Sequence, residues 1–395
     1  MNLHKKLSCD IFCTVVDNYG DIGVCWRLAR QLANEHDIAV RLWVDDLVSF
    51  RKLCAEIELA SAVQHHCGVE IRHWVLPFND VLPAQIVIEA FACDLPENYV
   101  LAMAAQEPKP VWLNLEYLSA EDWVSGCHGL PSPHSRLPLT KYFFFPGFTP
   151  NTGGLLVEQD LLAKRDAFLA NAELQKNYWH TLGVSPRSAD EIKISLFSYE
   201  NPAVQELLSV LVAGPHNVIC LVPEGRVLPQ VAAFFGRGAL SAGDELQRGC
   251  LRLHVLPFVE QDEYDKLLWA CDINFVRGED SCVRAQWAGK PFVWQIYPQH
   301  DGVHLKKMRA LLNLYCEGLE HEAAETLQVL WERWNAGEIE AQSTGINEAW
   351  NHLLVRQSIL RHHADGWANK LVSNNLALNL LDFSRKVGRI APFEI

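Results

Sequence analysis

The spacing of apolar residues changes repeatedly along the chain. Short apolar runs, at 11–16 ("IFCTVV") and 38–44 ("IAVRLWV"), have the length of strands. Each is followed by a segment whose apolar residues recur every three to four positions, which indicates a helix. After the first run the recurring residues are Cys25, Leu28, Ala29, Leu32 and Ala33. This alternation predicts an α/β fold with a mostly parallel sheet and helices on both faces.

The alternation continues through the first half and restarts in the second. "DDLVSFRKLCAE" predicts a helix with Asp45 or Asp46 near its start. Further apolar runs predict strands at 85–91, 110–117, 192–199, 216–223, 251–258, 272–276 and 291–297. Two halves of similar size indicate two α/β units, because 395 residues are too many for one ordinary core.

The boundary between the halves has its own composition. From about Tyr142, "KYFFFPGFTPNTGGLL" is first aromatic and then rich in Pro, Gly, Thr and Asn, which is typical of a loop or domain junction. The C-terminal run "WANKLVSNNLALNLLDFSRKV" predicts one long amphipathic helix packed on a core. We therefore expect domains at 1–160 and 161–369, with a C-terminal helix at 370–395 completing the first.

Composition narrows the classes of function. A net charge of −14 argues against general nucleic-acid binding, which relies on basic surface. No apolar stretch reaches the roughly 18 residues of a membrane span, and Asp10 interrupts the apolar run after Lys5 and Lys6, with no cleavage site following. A cytoplasmic location is expected. The twelve cysteines are scattered without a C-x-x-C pair, so most are expected to be small buried side chains, and no metal site is predicted.

The segment "DINFVRGEDSCVRAQWAGK" is the first that suggests chemistry. It predicts a strand at 272–276, a turn at 277–281 and a helix from Cys282, with Asp280 or Ser281 as the N-cap. A helix N-terminus after a parallel strand is a favourable binding site for anions, and Arg277 adds a hydrogen-bond donor able to bind a phosphate. The alternative is an ordinary capped helix with a surface Arg–Glu pair.

Aromatic and amide side chains stand near the ends of two other predicted strands. Phe197 and Tyr199 end one, and Phe258 and Gln261 follow another. Ligands of open α/β sheets bind at the carboxyl ends of strands, and a nucleobase needs a stacking face and a polar edge partner. The alternative is that these aromatics belong to the core.

Two aspartates flank a glycine turn between the first strand and its helix, in "DNYGDIGVCWRL". The G-x-x-G of this turn is not a dinucleotide fingerprint, and a pyrophosphate cradle normally avoids carboxylates. Asp17 and Asp21 are suited to binding sugar hydroxyls or to taking a proton from a nucleophile. The alternative is that Asp21 only caps a helix at 22–35.

Several stretches together resemble a known family, the bacterial elongation factor P arginine rhamnosyltransferases (EarP). The resemblance runs nearly end to end through "DNYGDIGVCWRLARQL", "IEAFACDLPE", "WLNLEYLSAE", "LPSPH", "KYFFFPGFTPNTGGLL", "RGEDSCVRAQWAGKPFVWQIYPQ" and "VHLKKMRA". It implies a GT-B glycosyltransferase, with two Rossmann-like domains facing across a cleft. It also implies an inverting, metal-independent transfer of L-rhamnose from dTDP-β-L-rhamnose to an arginine of elongation factor P, without a cofactor.

The resemblance also implies roles for individual residues. Asp21 corresponds to the general base, and Asp17, Asn18, Tyr19 and Gly20 lie beside it near the sugar. On the donor side the thymine is expected to contact Phe197, Tyr199, Phe258 and Gln261. The diphosphate is expected to contact Arg277, Asp280, Ser281 and Tyr297, and Glu279 is expected to be a further catalytic carboxylate.

Three positions depart from what is usual in the family. Tyr19 and Cys282 stand where Phe is common, and Gln295 stands where His is frequent. We expect these to alter the shape of the pocket rather than abolish activity. Two rival functions stay open, namely another GT-B transferase with a different sugar or acceptor, and a catalytically silent nucleotide-sugar-binding regulator.

Overall fold

The structure is a computed structural model that describes residues 6–16, 19–184, 190–299, 302–336 and 345–388. The chain divides into two compact units, one formed by 1–159 with 371–395 and the other by 160–370. The strands of the first unit are β1 (Ser8–Cys13), β2 (Ala39–Val44), β3 (Val63–His66), β4 (Val69–His73), β5 (Ile86–Ala90), β6 (Val111–Leu115), β7 (Pro131–Pro133) and β8 (Thr140–Phe144). Those of the second are β9 (Ile192–Leu196), β10 (Val218–Pro223), β11 (Glu245–Arg248), β12 (Leu251–Leu256), β13 (Ile273–Arg277) and β14 (Phe292–Gln295).

The helices alternate with these strands, as the apolar periodicity predicts. In chain order they are α1 (Gly20–Glu35), α2 (Leu47–Leu53), α3 (Glu97–Ala105), α4 (Val124–Cys127), α5 (Leu161–Ala170), α6 (Ala172–Thr181), α7 (Ala203–Ala213), α8 (Leu228–Phe234), α9 (Gln261–Ala270), α10 (Gly278–Trp287), α11 (Val303–Tyr315), α12 (His321–Asn335), α13 (Ile346–Val355), α14 (Gln357–Leu371) and α15 (Leu376–Gly388). None of those in the described part of the chain combines the length and apolar character that crossing a membrane requires.

The first unit contains a sheet of eight strands in the order β3-β4-β2-β1-β5-β6-β8-β7. Neighbouring strands are parallel except at the two edges of the sheet. At one edge β3 is antiparallel to β4, and at the other β7 is antiparallel to β8. Every residue of β5 and β6 is buried, because both faces of a parallel sheet are covered. One core cluster joins Phe12, Trp43, Tyr99, Met103 and Trp112.

The second unit contains six strands in the order β11-β12-β10-β9-β13-β14, parallel apart from the edge strand β11. Its central strands β10 and β12 are buried throughout. Large aromatic side chains fill the core, where Phe292 packs on Tyr315 and Trp331 with ring centroids 5.1 Å apart in both pairs. The parallel sheets of both units confirm the predicted α/β class.

Two segments differ from the sequence prediction. The start of "KYFFFPGFTPNTGGLL" was expected to be a loop, but residues up to Phe144 belong to β8. Strand formation prevails there because β8 pairs with both β6 and β7. The first strand also runs from Ser8 to Cys13 rather than over 11–16.

The prediction of a single C-terminal helix is wrong, because the helix is interrupted between α14 and α15. At the break Asn374 O accepts the N–H of Leu155 at 2.9 Å, and Leu376 N–H donates to Leu155 O at 2.9 Å. Asn375 then caps α15 by accepting the N–H of Leu378 at 3.1 Å. Gly154, with φ +80°, makes this approach possible, since a Cβ there would lie 2.2 Å from the Asn374 oxygen.

Candidate active site

The first group of candidate residues lies where the strand order of the first sheet reverses. From β1 the chain proceeds to β2 on one side and later returns to β5 on the other. The carboxyl ends of β1 and β5 therefore border a crevice of the kind in which ligands of open α/β sheets bind. Asp21 lies in the first turn of α1, the helix that follows β1.

The Asp21 carboxylate is buried, with 3% of the residue exposed, and is held from two sides. Its Oδ2 accepts the backbone N–H of Val16 at 2.8 Å, and its Oδ1 lies 3.4 Å from the hydroxyl of Tyr117, which donates to it. The helix N-cap is Tyr19, without a side-chain capping bond, so Asp21 is not the N-cap. A carboxylate in the first turn is also favoured by the helix dipole.

A second aspartate stabilises the same loop. Asp45 Oδ1 accepts the N–H of Val15 at 2.9 Å, so the two consecutive amides of residues 15 and 16 are bound by two carboxylates. The neighbouring Asp46 caps α2 by accepting the N–H groups of Val48 and Ser49, as the sequence suggested. A hydrogen bond with Cys25 and burial raise the pKa of the Cys13 thiol, and the nearby charges of Asp21 and Asp45 raise it further.

Tyr117 was not predicted as a site residue. It follows β6, and its ring stacks on Phe91 after β5, with centroids 4.5 Å apart. Its position at the end of the strand predicted over 110–117 was the available signal, because that places it at the same sheet edge as Asp21. Of the other predicted residues here, Gly20 begins α1, whereas Asp17 and Asn18 lie outside the described residues.

The second group lies at the corresponding reversal of the second sheet. β9 has β10 on one side and β13 on the other, so the carboxyl ends of β9 and β13 are the expected binding edge. Arg277 ends β13 and is itself the N-cap of α10, which begins at Gly278. The prediction that Asp280 or Ser281 caps this helix is wrong, because Gly278, with φ +66°, starts the helix one residue beyond the strand.

The guanidinium of Arg277 lies between two aromatic rings. Its Cζ is 4.5 Å from the ring centroids of both Phe197 and Tyr199. The residue is 5% exposed, and its Nε is buried without a hydrogen-bond partner among the described residues. Such donors are costly to bury unpaired, so this geometry is typical of a cation prepared for an anionic ligand.

Neighbouring side chains hold this arrangement in place. Gln295, paired with Arg277 in the β13–β14 register, accepts the backbone N–H of Tyr199 at 2.8 Å. The ring of Tyr297, 42% exposed, lies 5.5 Å from that of Tyr199, and the ring of Tyr264 lies 5.6 Å from that of Phe197. Sequence reasoning missed Tyr264, which no strand end marks, and noted Gln295 only as a departure from the family.

The remaining predicted residues occupy the same edge. Glu279 and Asp280 are half-buried in the first turn of α10, and Ser281 is buried beside them. Asp280 Oδ2 accepts the side-chain amide of Gln261 at 3.4 Å, at the start of α9. Phe258 is half-buried in the loop after β12.

Cys282 is wholly buried, and burial raises the pKa of its thiol. Most other cysteines are also buried, as predicted. Within the described residues no group of three or more His, Cys, Asp and Glu side chains is arranged to hold a metal ion.

Each sheet thus has a candidate binding site at the carboxyl ends of its strands. The first contains the buried carboxylate of Asp21, and the second contains the buried guanidinium of Arg277 at a helix N-terminus. A structure solved for a Rickettsia africae glycosyltransferase, 10% identical, covers 98% of this chain and all of its own with a TM-score of 0.52, which supports the fold alone. A second, solved in a study of EarP-mediated arginine glycosylation of translation elongation factor EF-P, is 36% identical with a TM-score of 0.69 and covers 96% of this chain and 99% of its own. The protein is a glycosyltransferase of the GT-B class.

Residues 9–385 match the model of the family described as elongation factor P (EF-P) rhamnosyltransferase EarP. A protein-arginine rhamnosyltransferase of Pseudomonas putida is 49% identical over 381 residues, which cover 96% of this chain and 99% of that protein. The chain therefore belongs to the EarP family of protein-arginine rhamnosyltransferases, and the resemblance found in the sequence is confirmed.

Proposed function

We propose that this enzyme transfers L-rhamnose from dTDP-β-L-rhamnose to an arginine side chain of elongation factor P, with inversion at the anomeric carbon. Family membership supports the reaction class, and the relatives' names supply the acceptor chemistry. The observation that carries the donor assignment is the buried Arg277 guanidinium, stacked between two rings at the start of α10.

The second unit is assigned to the donor. The leaving group is a diphosphate that gains negative charge as the glycosidic bond breaks. Arg277 and the N–H groups at the start of α10 can stabilise that charge without reorganising, which is where electrostatic catalysis is most effective. Ser281 can donate its hydroxyl to the same group. The aromatic side chains of Phe197, Tyr199 and Phe258 supply apolar faces for the thymine.

The carboxylates in this region require a different assignment. An ionised Asp280 would repel a phosphate and has no proton to donate, but it accepts the Gln261 amide. We assign Asp280 to orienting Gln261 toward the polar edge of the base. Glu279, half-buried one residue earlier, is assigned to the sugar side of the donor.

The first unit is assigned to the acceptor. A guanidinium has a pKa above about 12 and is a poor nucleophile while protonated and delocalised. Asp21 takes a proton from the arginine as its terminal nitrogen attacks the anomeric carbon. The new C–N bond forms while the bond to the diphosphate oxygen breaks, and dTDP leaves. The negative charge of Asp21 also favours the oxocarbenium character of the transition state.

Intact-mass spectrometry tests the proposal. Elongation factor P is incubated with the protein and dTDP-β-L-rhamnose, with and without EDTA. We expect the mass of one deoxyhexose on arginine in both samples. A different mass or target would indicate another GT-B transferase, and no mass change with dTDP still bound would indicate a regulator. Loss of transfer in EDTA would contradict metal independence.

A further inference from the structure

The second unit has a further cavity at the edge of its sheet opposite to Arg277. Lys290 lies between the end of α10 and the start of β14, and Arg361 lies on α14. The cavity has a volume of about 450 Å³. Its lining includes both of these residues together with Arg165, His362 and Asp365.

The cationic side chains that line this cavity differ in whether they have hydrogen-bond or ion-pair partners. Arg165 is fully engaged, because it donates to Trp287 O at 3.0 Å, to Asp365 at 2.9 Å and to Asp166 at 2.9 Å. In contrast, no side-chain hydrogen bond or ion pair joins Lys290 or the exposed Arg361 to another described residue. Lys290 is only 5% exposed, so little of its side chain is in contact with water.

Burial of an unpaired cation is unfavourable. Burial and the nearby charge of Arg361 lower the pKa of Lys290 to about 8, and the charge of Asp272 offsets this only in part. Asp272 is itself engaged, since its Oδ2 accepts the N–H of Lys193 at 2.9 Å.

We propose that this cavity is a binding site for a small phosphate-bearing anion, held between Lys290 and Arg361. Two cations that repel each other across one cavity are both stabilised by a dianion placed between them. The hydroxyl of Ser358, which also lines the cavity, is a further donor to such a ligand. The site is separate from the proposed donor site, because Lys290 precedes β14 whereas Arg277 ends β13.

Calorimetric titration of the whole protein with inorganic phosphate tests this site, with sodium chloride at equal ionic strength as the blank. Phosphate also fits the diphosphate region, so the titration is carried out on Arg277→Gln as the background. We expect this background to retain phosphate binding and Arg361→Gln within it to weaken binding at least tenfold. Lys370→Gln, an exposed charge on α14, serves as the matched control. Equal affinity in Arg361→Gln and the control would overturn the proposal.

Acylation of lysines provides a readout that does not depend on a variant. At pH 8 an amine-reactive reagent modifies neutral Lys290, and peptide mass spectrometry measures the labelled fraction. We expect phosphate to lower labelling at Lys290 and to leave the more exposed Lys266 unchanged. Undiminished labelling of Lys290 at saturating phosphate would also overturn the proposal.

Discussion

The side-chain oxygen of Gln295 accepts the backbone N–H of Tyr199, and this bond reaches across the strand that carries Arg277. It fixes Tyr199 as one of the two rings that flank the guanidinium. The aromatic contacts thus depend on the buried side-chain amide of Gln295. Gln295 is a positioning residue in this arrangement.

Replacing Gln295 with Leu is expected to weaken dTDP binding about tenfold, because the buried Tyr199 N–H loses its acceptor at a cost of about 1–3 kcal/mol. The dissociation constant is measured by calorimetry, and Gln299→Leu, at an exposed position, is the control. Gln295→Glu, which retains an acceptor oxygen, is expected to recover part of the affinity. Unchanged affinity in the Leu variant would refute the positioning role.

Arg277→Lys is expected to weaken dTDP binding by about tenfold to a hundredfold although it keeps the charge. A lysine ammonium cannot provide the planar fork that stacks between Phe197 and Tyr199 and binds an anion bidentately. The comparison variant is Arg226→Lys, an exposed arginine of the same unit. If both variants bind dTDP as the wild type does, the stacked guanidinium is not the diphosphate ligand.

The α/β class and the site edges could be predicted from the sequence, because apolar period and strand ends are local properties. The N-cap of α10 could not be predicted from the sequence, since Asp280 and Ser281 are both residue types that favour the N-cap position. The helix begins earlier only because Gly278 adopts a positive φ. The interruption of the helix before α15 could not be predicted either, since it depends on pairing between Leu155 and Asn375, which are distant in sequence.

The site residues also divide into those that local sequence indicates and those that depend on contacts distant in sequence. Asp21 stood out because a carboxylate beside a glycine turn is unusual, but its contact with Tyr117 joins residues 96 positions apart. Likewise, the sandwich around Arg277 requires β9 and β13 to be neighbours, which strand-by-strand analysis does not reveal. The roles of these residues in catalysis stay predictions.

Asp21→Asn is expected to reduce rhamnose transfer by about 10²–10⁴-fold while leaving dTDP affinity within about twofold of wild type. The amide oxygen still accepts the Val16 N–H, so the loop is expected to keep its conformation. Initial rates come from intact-mass measurements on the acceptor. Asp122→Asn, at an exposed position of the same unit, is the control. Turnover close to wild type in Asp21→Asn would exclude the assigned role as base.

Lys290→Met is expected to raise the free energy of unfolding at pH 7 in a phosphate-free buffer. The folded pKa of about 8 lies below the ordinary value of 10.5, so the unfolded chain binds the proton more tightly. The wild type therefore gains stability as the pH rises from 8 to 10.5, and it bears the whole cost of burying the charge below about pH 8. That cost is on the order of 3 kcal/mol, since each pKa unit corresponds to about 1.4 kcal/mol.

The difference between Lys290→Met and wild type is measured by urea unfolding at pH 7 and pH 9.5, with Lys266→Met as the control for an ion-paired, more exposed lysine. We expect the stabilisation by Met to shrink at the higher pH, because the wild-type amine is then mostly neutral. Added phosphate is expected to narrow the gap at pH 7 by stabilising only the wild type. A gap that stays constant across pH would show that volume, rather than charge, determines the effect of the substitution.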